Sequence, residues 1–252
     1  MARPKAMVLR AAGTNCDKES QYALELAGFE AKRVHVFRVT ENPALLDEYQ
    51  LLMIPGGFSY GDDVSAGKIL ANQMIHHLAG ALNRFVADGK LVLGVCNGFQ
   101  VLLKSGLLPC GAADPTQANR DATLTWNDCG IFVDRWINLC ADSDKCVFLT
   151  KGRTLSLPIA HGEGKFVTSD DAVLGRIRDG GQVAVRYDGG NPNGSIDDIA
   201  GICDPTGRIF GLMPHPERFV DPTQHPTWTR RRKDCTGADG LVIFKNAAKY
   251  LK

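Results

Sequence analysis

Short apolar runs alternate with amphipathic stretches along the first hundred residues. "AMVLRA" (6–11), "AKRVHVFRV" (31–39), "LLMIPGG" (51–57) and "LVLGV" (91–95) have the continuous apolar character of buried strands. Between them, "DKESQYALELAGFE" (17–30) and "SAGKILANQMIHHLAGALNRFVADGK" (65–90) space their apolar residues at helical intervals, and each closes on a glycine. Strands alternating with helices predict a parallel α/β sheet joined by right-handed crossovers.

The pattern changes after residue 120. "TLTWNDCGIFVDRWINLC" and "KCVFLTKGRTLSLPIA" hold short β-prone runs separated by turn residues, which predicts antiparallel strands added to the sheet. The stretch "GQVAVRYDGGNPNGSIDDIAGICDPTGRIFGLMPH" (181–215) continues with three β runs, and Asn193-Gly194 marks a tight turn within it. "ADGLVIFKNAAKYLK" predicts a closing amphipathic helix. Neither an internal repeat nor a low-complexity linker interrupts the chain, so one domain over residues 1–252 is expected.

Composition narrows the field. The 252 residues are 44% hydrophobic and 23% charged with a net charge of +1, a balance that asks for neither nucleic acid nor an anionic membrane as partner. No run approaches the roughly 20 apolar residues of a membrane span, and the first residues read as a strand rather than a secretory leader, so a cytoplasmic location is expected. Eight cysteines are scattered without a Cys-x-x-Cys pair, the pattern of reduced thiols rather than of a disulfide or zinc framework.

One cysteine has a chemical neighbourhood. Gly94-Val95-Cys96-Asn97-Gly98 has the spacing of a nucleophile elbow, in which small residues let a strained strand-to-helix turn close and leave the nucleophile exposed. Cys96 would stand at the start of the helix "NGFQVLLKSG", where helix-end amides favour a thiolate. An isolated pattern of this kind is matched equally well by a structural cysteine beside a tight turn. A thiol ionising near ~8.5 needs a base, and "GLMPHPERF" offers His215, with Glu217 two positions on to orient its ring. The third piece is "IPGGFSYGD" (54–62), whose glycines let the backbone approach a ligand. The N–H groups of Gly57 and Asn97 are the candidate oxyanion hole.

In this order, "PGGFSYGD", "GVCNGFQ", "PIAHGEGKF", "NPNGS", "IAGICD" and "GLMPHPER" resemble the PurQ-type class I glutamine amidotransferases, the glutaminase subunits of phosphoribosylformylglycinamidine synthase. The similarity runs from the first strand to about Phe219. It implies a flavodoxin-like, mostly parallel sheet flanked by helices, with additional antiparallel strands. It also implies a Cys96–His215–Glu217 triad that frees ammonia from glutamine through a glutamyl thioester, and a role for Gly56, Gly57 and Gln100 in holding glutamine. The partners it implies are a PurL-type synthetase and a small PurS-type subunit. ATP and magnesium belong to the synthetase in this scheme, because the chain has no G-x-x-x-x-G-K-[ST] or G-x-G-x-x-G loop and no cofactor of its own is expected. Segments 111–155 and 221–240 are longer than the compact members of the family require.

Rival readings remain open on the sequence. The elbow suits a cysteine peptidase or thiol-redox protein, and the fold suits a non-catalytic scaffold subunit. His161-x-Glu163 repeats the spacing of His215-x-Glu217, so four ligands for zinc or iron are conceivable, although no metal is expected and the "HGEG" segment reads as substrate-side or partner-side. The run Arg230 to Lys233 reads as a solvated loop, or as a contact for an acidic partner face. His76 and His77 read as surface residues of the long helix.

Overall fold

In the computed structural model, which describes residues 2–114, 121–230 and 237–252, nine strands form one sheet in the order β2-β1-β3-β4-β11-β10-β9-β6-β7. The amino-terminal part supplies β1 (Lys5–Arg10), α1 (Asp17–Leu26), β2 (Glu30–His35), α2 (Val36–Glu41), β3 (Leu51–Ile54), α3 (Lys68–Gln73), α4 (Ala79–Ala87) and β4 (Leu91–Val95). All residues of β3 and β4 are buried, as expected of parallel strands covered on both faces. After β4 come α5 (Asn97–Lys104) and the single turn α6 (Leu107–Cys110).

The remaining strands are β5 (Ala122–Thr125), β6 (Val133–Ala141), β7 (Thr154–His161), β8 (Lys165–Thr168), β9 (Val183–Asp188), β10 (Ile199–Cys203) and β11 (Ile209–Leu212). Helix α7 (Asp171–Asp179) precedes β9, and α8 (Asp239–Tyr250) closes the described chain. Strand β11 returns to pair in parallel with β4, completing a parallel half of β2, β1, β3, β4 and β11. From β11 onward every pairing is antiparallel, through β10, β9, β6 and β7. Seven of the nine strands therefore run in one direction, with β10 and β6 opposed. Within segment 111–155, β6 is the strand next to the edge strand β7, and β5 belongs to a separate pair. A separate antiparallel pair, β5 and β8, packs on α5, with Phe166 stacked on Phe99 at 6.3 Å.

Two predicted elements differ in detail. The run 31–39 is a strand only to His35, whose Nδ1 accepts the N–H of Phe37 and caps α2; a local side-chain bond overrides β-branched composition there. The long helix 65–90 begins at Lys68, after Gly67 at φ 73°, and its centre, Met74–Leu78, widens to a π-helix. His76 and His77 lie exposed on that turn. Asn193-Gly194 forms the expected turn, with Gly194 at φ 82°.

Register places the functional loops. Gly94 of β4 stands opposite Gly211 of β11, and α5 uses the space: a Cβ on Gly211 would overlap the Phe99 ring, and one on Gly94 would meet Leu102 Cδ1 at 2.5 Å. The carboxyl ends of β3, β4, β7 and β11 consequently open onto one edge of the sheet, where ligands of α/β folds bind.

Candidate active site

Cys96 occupies the turn between β4 and α5 at φ 52° and ψ −107°, a conformation that strains any residue with a side chain. The turn closes because Gly98 has no side chain; a Cβ there would overlap the Ile54 carbonyl oxygen. Strand β11 leads to His215, whose backbone N–H donates to the Pro158 carbonyl of β7 at 2.8 Å. One 3-10 turn, Pro216–Arg218, then folds the Glu217 carboxylate back, so that His215 Nδ1 and Glu217 Oε1 lie 2.6 Å apart. Both side chains are buried, and His215 Nε2 is left without a hydrogen-bond partner among the described residues.

The two halves of the site converge over Gly56. A Cβ at that position would lie 2.8 Å from His215 Cε1, 3.2 Å from Cys16 Sγ and 3.4 Å from Cys96 Cβ, so the missing side chain is what allows imidazole and cysteine to approach. Burial acts to lower the pKa of His215, but Glu217, then Cys96 and Cys16, more than offset it and hold it well above the usual 6.5. An imidazolium in this place is the counter-charge a thiolate requires.

The other sequence candidates cluster here as well. The N–H groups of Gly57, at φ 139°, and of Asn97 have no acceptor among the described residues, the state required of oxyanion donors. The Asn97 side chain has a further part that sequence reasoning missed. Its Oδ1 accepts the Ser59 N–H at 3.2 Å, and its Nδ2 donates to Asp62 Oδ1 at 3.1 Å and Gln100 Oε1 at 2.9 Å, clamping the Gly-Gly loop to α5. Gln100 lines the cavity, but its amide is engaged by Asn97 and, through Nε2, by the Glu163 carbonyl at 2.7 Å. In this state it braces the "HGEG" segment.

Cys16 and Arg218 were not assigned roles from the sequence. Cys16 Sγ stands 4.0 Å from His215 Nδ1 and receives Arg218 Nη2 at 3.2 Å, while burial, the largest influence, raises its pKa. Among the described residues, the group that could hold a metal ion is Cys16, His215 and Glu217, within 4.8 Å of one another, rather than the two His-x-Glu pairs. These residues suit a metal poorly, because Glu217 already engages the imidazole nitrogen and a guanidinium contacts the sulfur.

A cavity of about 590 Å³ joins these groups, with Cys96, His215, Gly57, Gln100 and His161 on its wall. Phe58, Trp126 and Phe132 also line it, each about half exposed or more. The "HGEG" loop is fixed from two sides. Asn127 holds His161 and Gly164, and Asn193 Nδ2 reaches the Gly164 carbonyl at 2.7 Å and the Tyr187 hydroxyl at 3.0 Å. No helix among the described residues is long and apolar enough to cross a membrane. Of the basic run, residues 231–233 lie outside the described residues.

Similarity to known proteins runs along nearly the whole chain. Residues 3–251 match the family model described as a CobB/CobQ-like glutamine amidotransferase domain. Among curated proteins, the phosphoribosylformylglycinamidine synthase subunit PurQ of Dehalococcoides mccartyi is 44% identical, covering 100% of this chain and 99% of the relative. Among solved structures, that of PurLQS from Thermotoga maritima contains a chain 34% identical, with a TM-score of 0.77 and full coverage of both chains. A glutamine amidotransferase from the same organism, 15% identical with a TM-score of 0.53, shares the fold.

Proposed function

The chain belongs to the CobB/CobQ-like glutamine amidotransferase family, and from that premise we propose that it hydrolyses the side-chain amide of glutamine and passes the ammonia to a separate synthetase. The observation that carries this reading is the buried His215–Glu217 pair at 2.6 Å, its free Nε2 held beside a cysteine on a strained turn. His215 takes the proton of Cys96, and the raised pKa of the ring lets it keep that proton while the sulfur attacks the amide carbon. The N–H groups of Gly57 and Asn97 receive the oxyanion. His215 then protonates the departing nitrogen, leaving a glutamyl thioester on Cys96, and next acts as base for the water that hydrolyses it to glutamate. Glu217 keeps the ring aimed and stabilises its charged form. Gly56 leaves space beside Cys96 and His215, Gly57 lets its loop pack against the backbone of residues 13–15 with its N–H free among the described residues, and Gln100 shapes the wall through the Glu163 carbonyl.

The Dehalococcoides mccartyi relative is a subunit of phosphoribosylformylglycinamidine synthase and the similar Thermotoga maritima chain was solved in PurLQS, which supports a PurL-type synthetase and a small PurS-type subunit as partners. Formylglycinamide ribonucleotide would then be the acceptor of the ammonia. Phe58, Trp126 and Phe132, exposed at the cavity, suit a site whose mouth a partner covers. The ATP and magnesium needed to turn an amide into an amidine are assigned to the synthetase, in keeping with the missing phosphate-loop motifs here. The complex is assigned to the cytoplasm.

Reconstitution with the synthetase tests the division of labour. Wild-type protein should support ATP-dependent amination with either glutamine or ammonium. Cys96→Ala should abolish the glutamine reaction and leave the ammonium reaction unchanged. Equal loss of both would refute the proposal.

A further inference from the structure

His161 ends β7, and it is 3% exposed on the wall of the cavity that holds Cys96 and His215. Its tautomer follows from its neighbours. Asn127 donates through Nδ2 to the carbonyl oxygens of His161 at 2.9 Å and Ile131 at 3.1 Å, which makes Oδ1 the accepting end of that amide. This oxygen receives the Gly164 N–H at 3.1 Å and stands 3.1 Å from His161 Nδ1. The ring proton therefore sits on Nδ1, and Nε2 is a bare lone pair. That lone pair is buried and has no partner among the described residues.

Two further facts fix its character. Burial, and then the neighbouring His215, lower the pKa of His161 from 6.5 to about 4, so the ring is neutral near pH 7. A Cβ on Gly164 would overlap the imidazole, so the chain lies close against the ring and leaves it little freedom to turn. The preceding residue, Ala160, places its carbonyl oxygen 3.7 Å from Cys96 Sγ, which puts this acceptor near the reacting end of the cavity.

We propose that His161 Nε2 accepts a hydrogen bond from the side-chain amide nitrogen of bound glutamine and so selects an amide over a carboxylate. The inference rests on the glutaminase reading given above. A carboxamide offers N–H donors at one end and a carbonyl oxygen at the other, so it satisfies both the lone pair of His161 and the N–H groups of Gly57 and Asn97. Glutamate presents oxygen lone pairs at both ends, and one of them opposes Nε2. The same opposition weakens the hold on the product once the thioester is hydrolysed. No bond to His161 forms or breaks, and its low basicity leaves proton transfer to His215.

The test compares glutamine with glutamate γ-methyl ester, which has the same carbonyl but no N–H on its leaving group, in the complex with the synthetase. His161→Phe keeps a ring of similar size and deletes both nitrogens. It should lower kcat/KM for glutamine roughly 10- to 100-fold, the effect of one buried hydrogen bond, and lower the ester reaction by less than about 3-fold or raise it, since the ester oxygen also opposes Nε2. Glutamate should become a stronger inhibitor of the variant. Equal losses on both substrates, or no loss on glutamine, would overturn the proposal. His161→Ala should show the same ratio if the larger ring destabilises the fold. Should neither variant fold, wild-type protein still decides: weak inhibition by glutamate relative to the KM for glutamine supports the proposal, and inhibition at the KM contradicts it. Failure of the wild-type protein to release ammonia would instead remove the glutaminase reading itself.

Discussion

The parallel and antiparallel halves of the sheet serve one cavity by different means. On the parallel side, function depends on backbone: the strained turn of Cys96, the bare Gly56 against the imidazole, and the single turn joining His215 to Glu217. On the antiparallel side it depends on side-chain amides, with Asn127 and Asn193 together holding the loop that carries His161 and Gly164. Backbone placement tolerates almost no change, whereas a wall held by several hydrogen bonds loses one at modest cost. Substitutions in the first half should therefore destroy the reaction, and those in the second should tune it.

The largest effect is expected from His215→Ala. Loss of one member of a hydrolase triad costs about 10⁶-fold in rate, and ammonia release from glutamine should fall to background while ammonium-dependent synthesis persists. Glu217→Gln should cost up to about 10⁴-fold, as removal of a triad carboxylate does. It should also move the pH profile in a defined direction. Burial opposes protonation of His215 and Glu217 is the foremost group favouring it, so the neutral variant carries a lower His215 pKa. Stability drawn from the charged ring is full below the ordinary imidazole value of about 6.5 and is lost as pH rises through the raised folded value. In the variant that loss, and the alkaline fall in glutaminase rate, should come at lower pH.

A smaller effect should follow Gly56→Ala. Its methyl group would stand 2.8 Å from His215 Cε1 and push the ring away from Cys96, which at about 1 Å of displacement costs roughly 10²-fold. Steady-state kinetics should show the loss chiefly in kcat. The smallest effect is expected on the antiparallel side. Asn193→Ala removes the bonds to the Gly164 carbonyl and the Tyr187 hydroxyl and should lower stability by about 1–3 kcal/mol. Thermal unfolding should register it, with KM raised a few-fold and kcat nearly unchanged. Activity abolished by Asn193→Ala would erase the distinction between the halves.

The same contrast governs how much could be read from the chain. The elbow of Cys96 is legible because its steric demands fall on residues two places away, Gly94 and Gly98, and His215 and Glu217 are legible because one turn joins them. Strands β3 and β4 announce themselves as unbroken apolar runs since both faces are covered. Cys16 is silent in sequence, because its place beside His215 depends on β1 pairing with β3 and on a return of the chain 199 residues later. Asn127 likewise gains its role only when the turn before β6 meets the end of β7, 34 residues away. The break at His35 depends on one side-chain bond to the next turn, which strand composition conceals.

Two thiols face the same imidazole, so the central claim is which sulfur reacts. Labelling the complex with a γ-diazoketone analogue of glutamine, followed by peptide mass spectrometry, decides it directly. One adduct per chain is expected, on Cys96, absent from Cys96→Ala and retained in Cys16→Ser. An adduct on Cys16, or none in a complex that consumes glutamine, would contradict it.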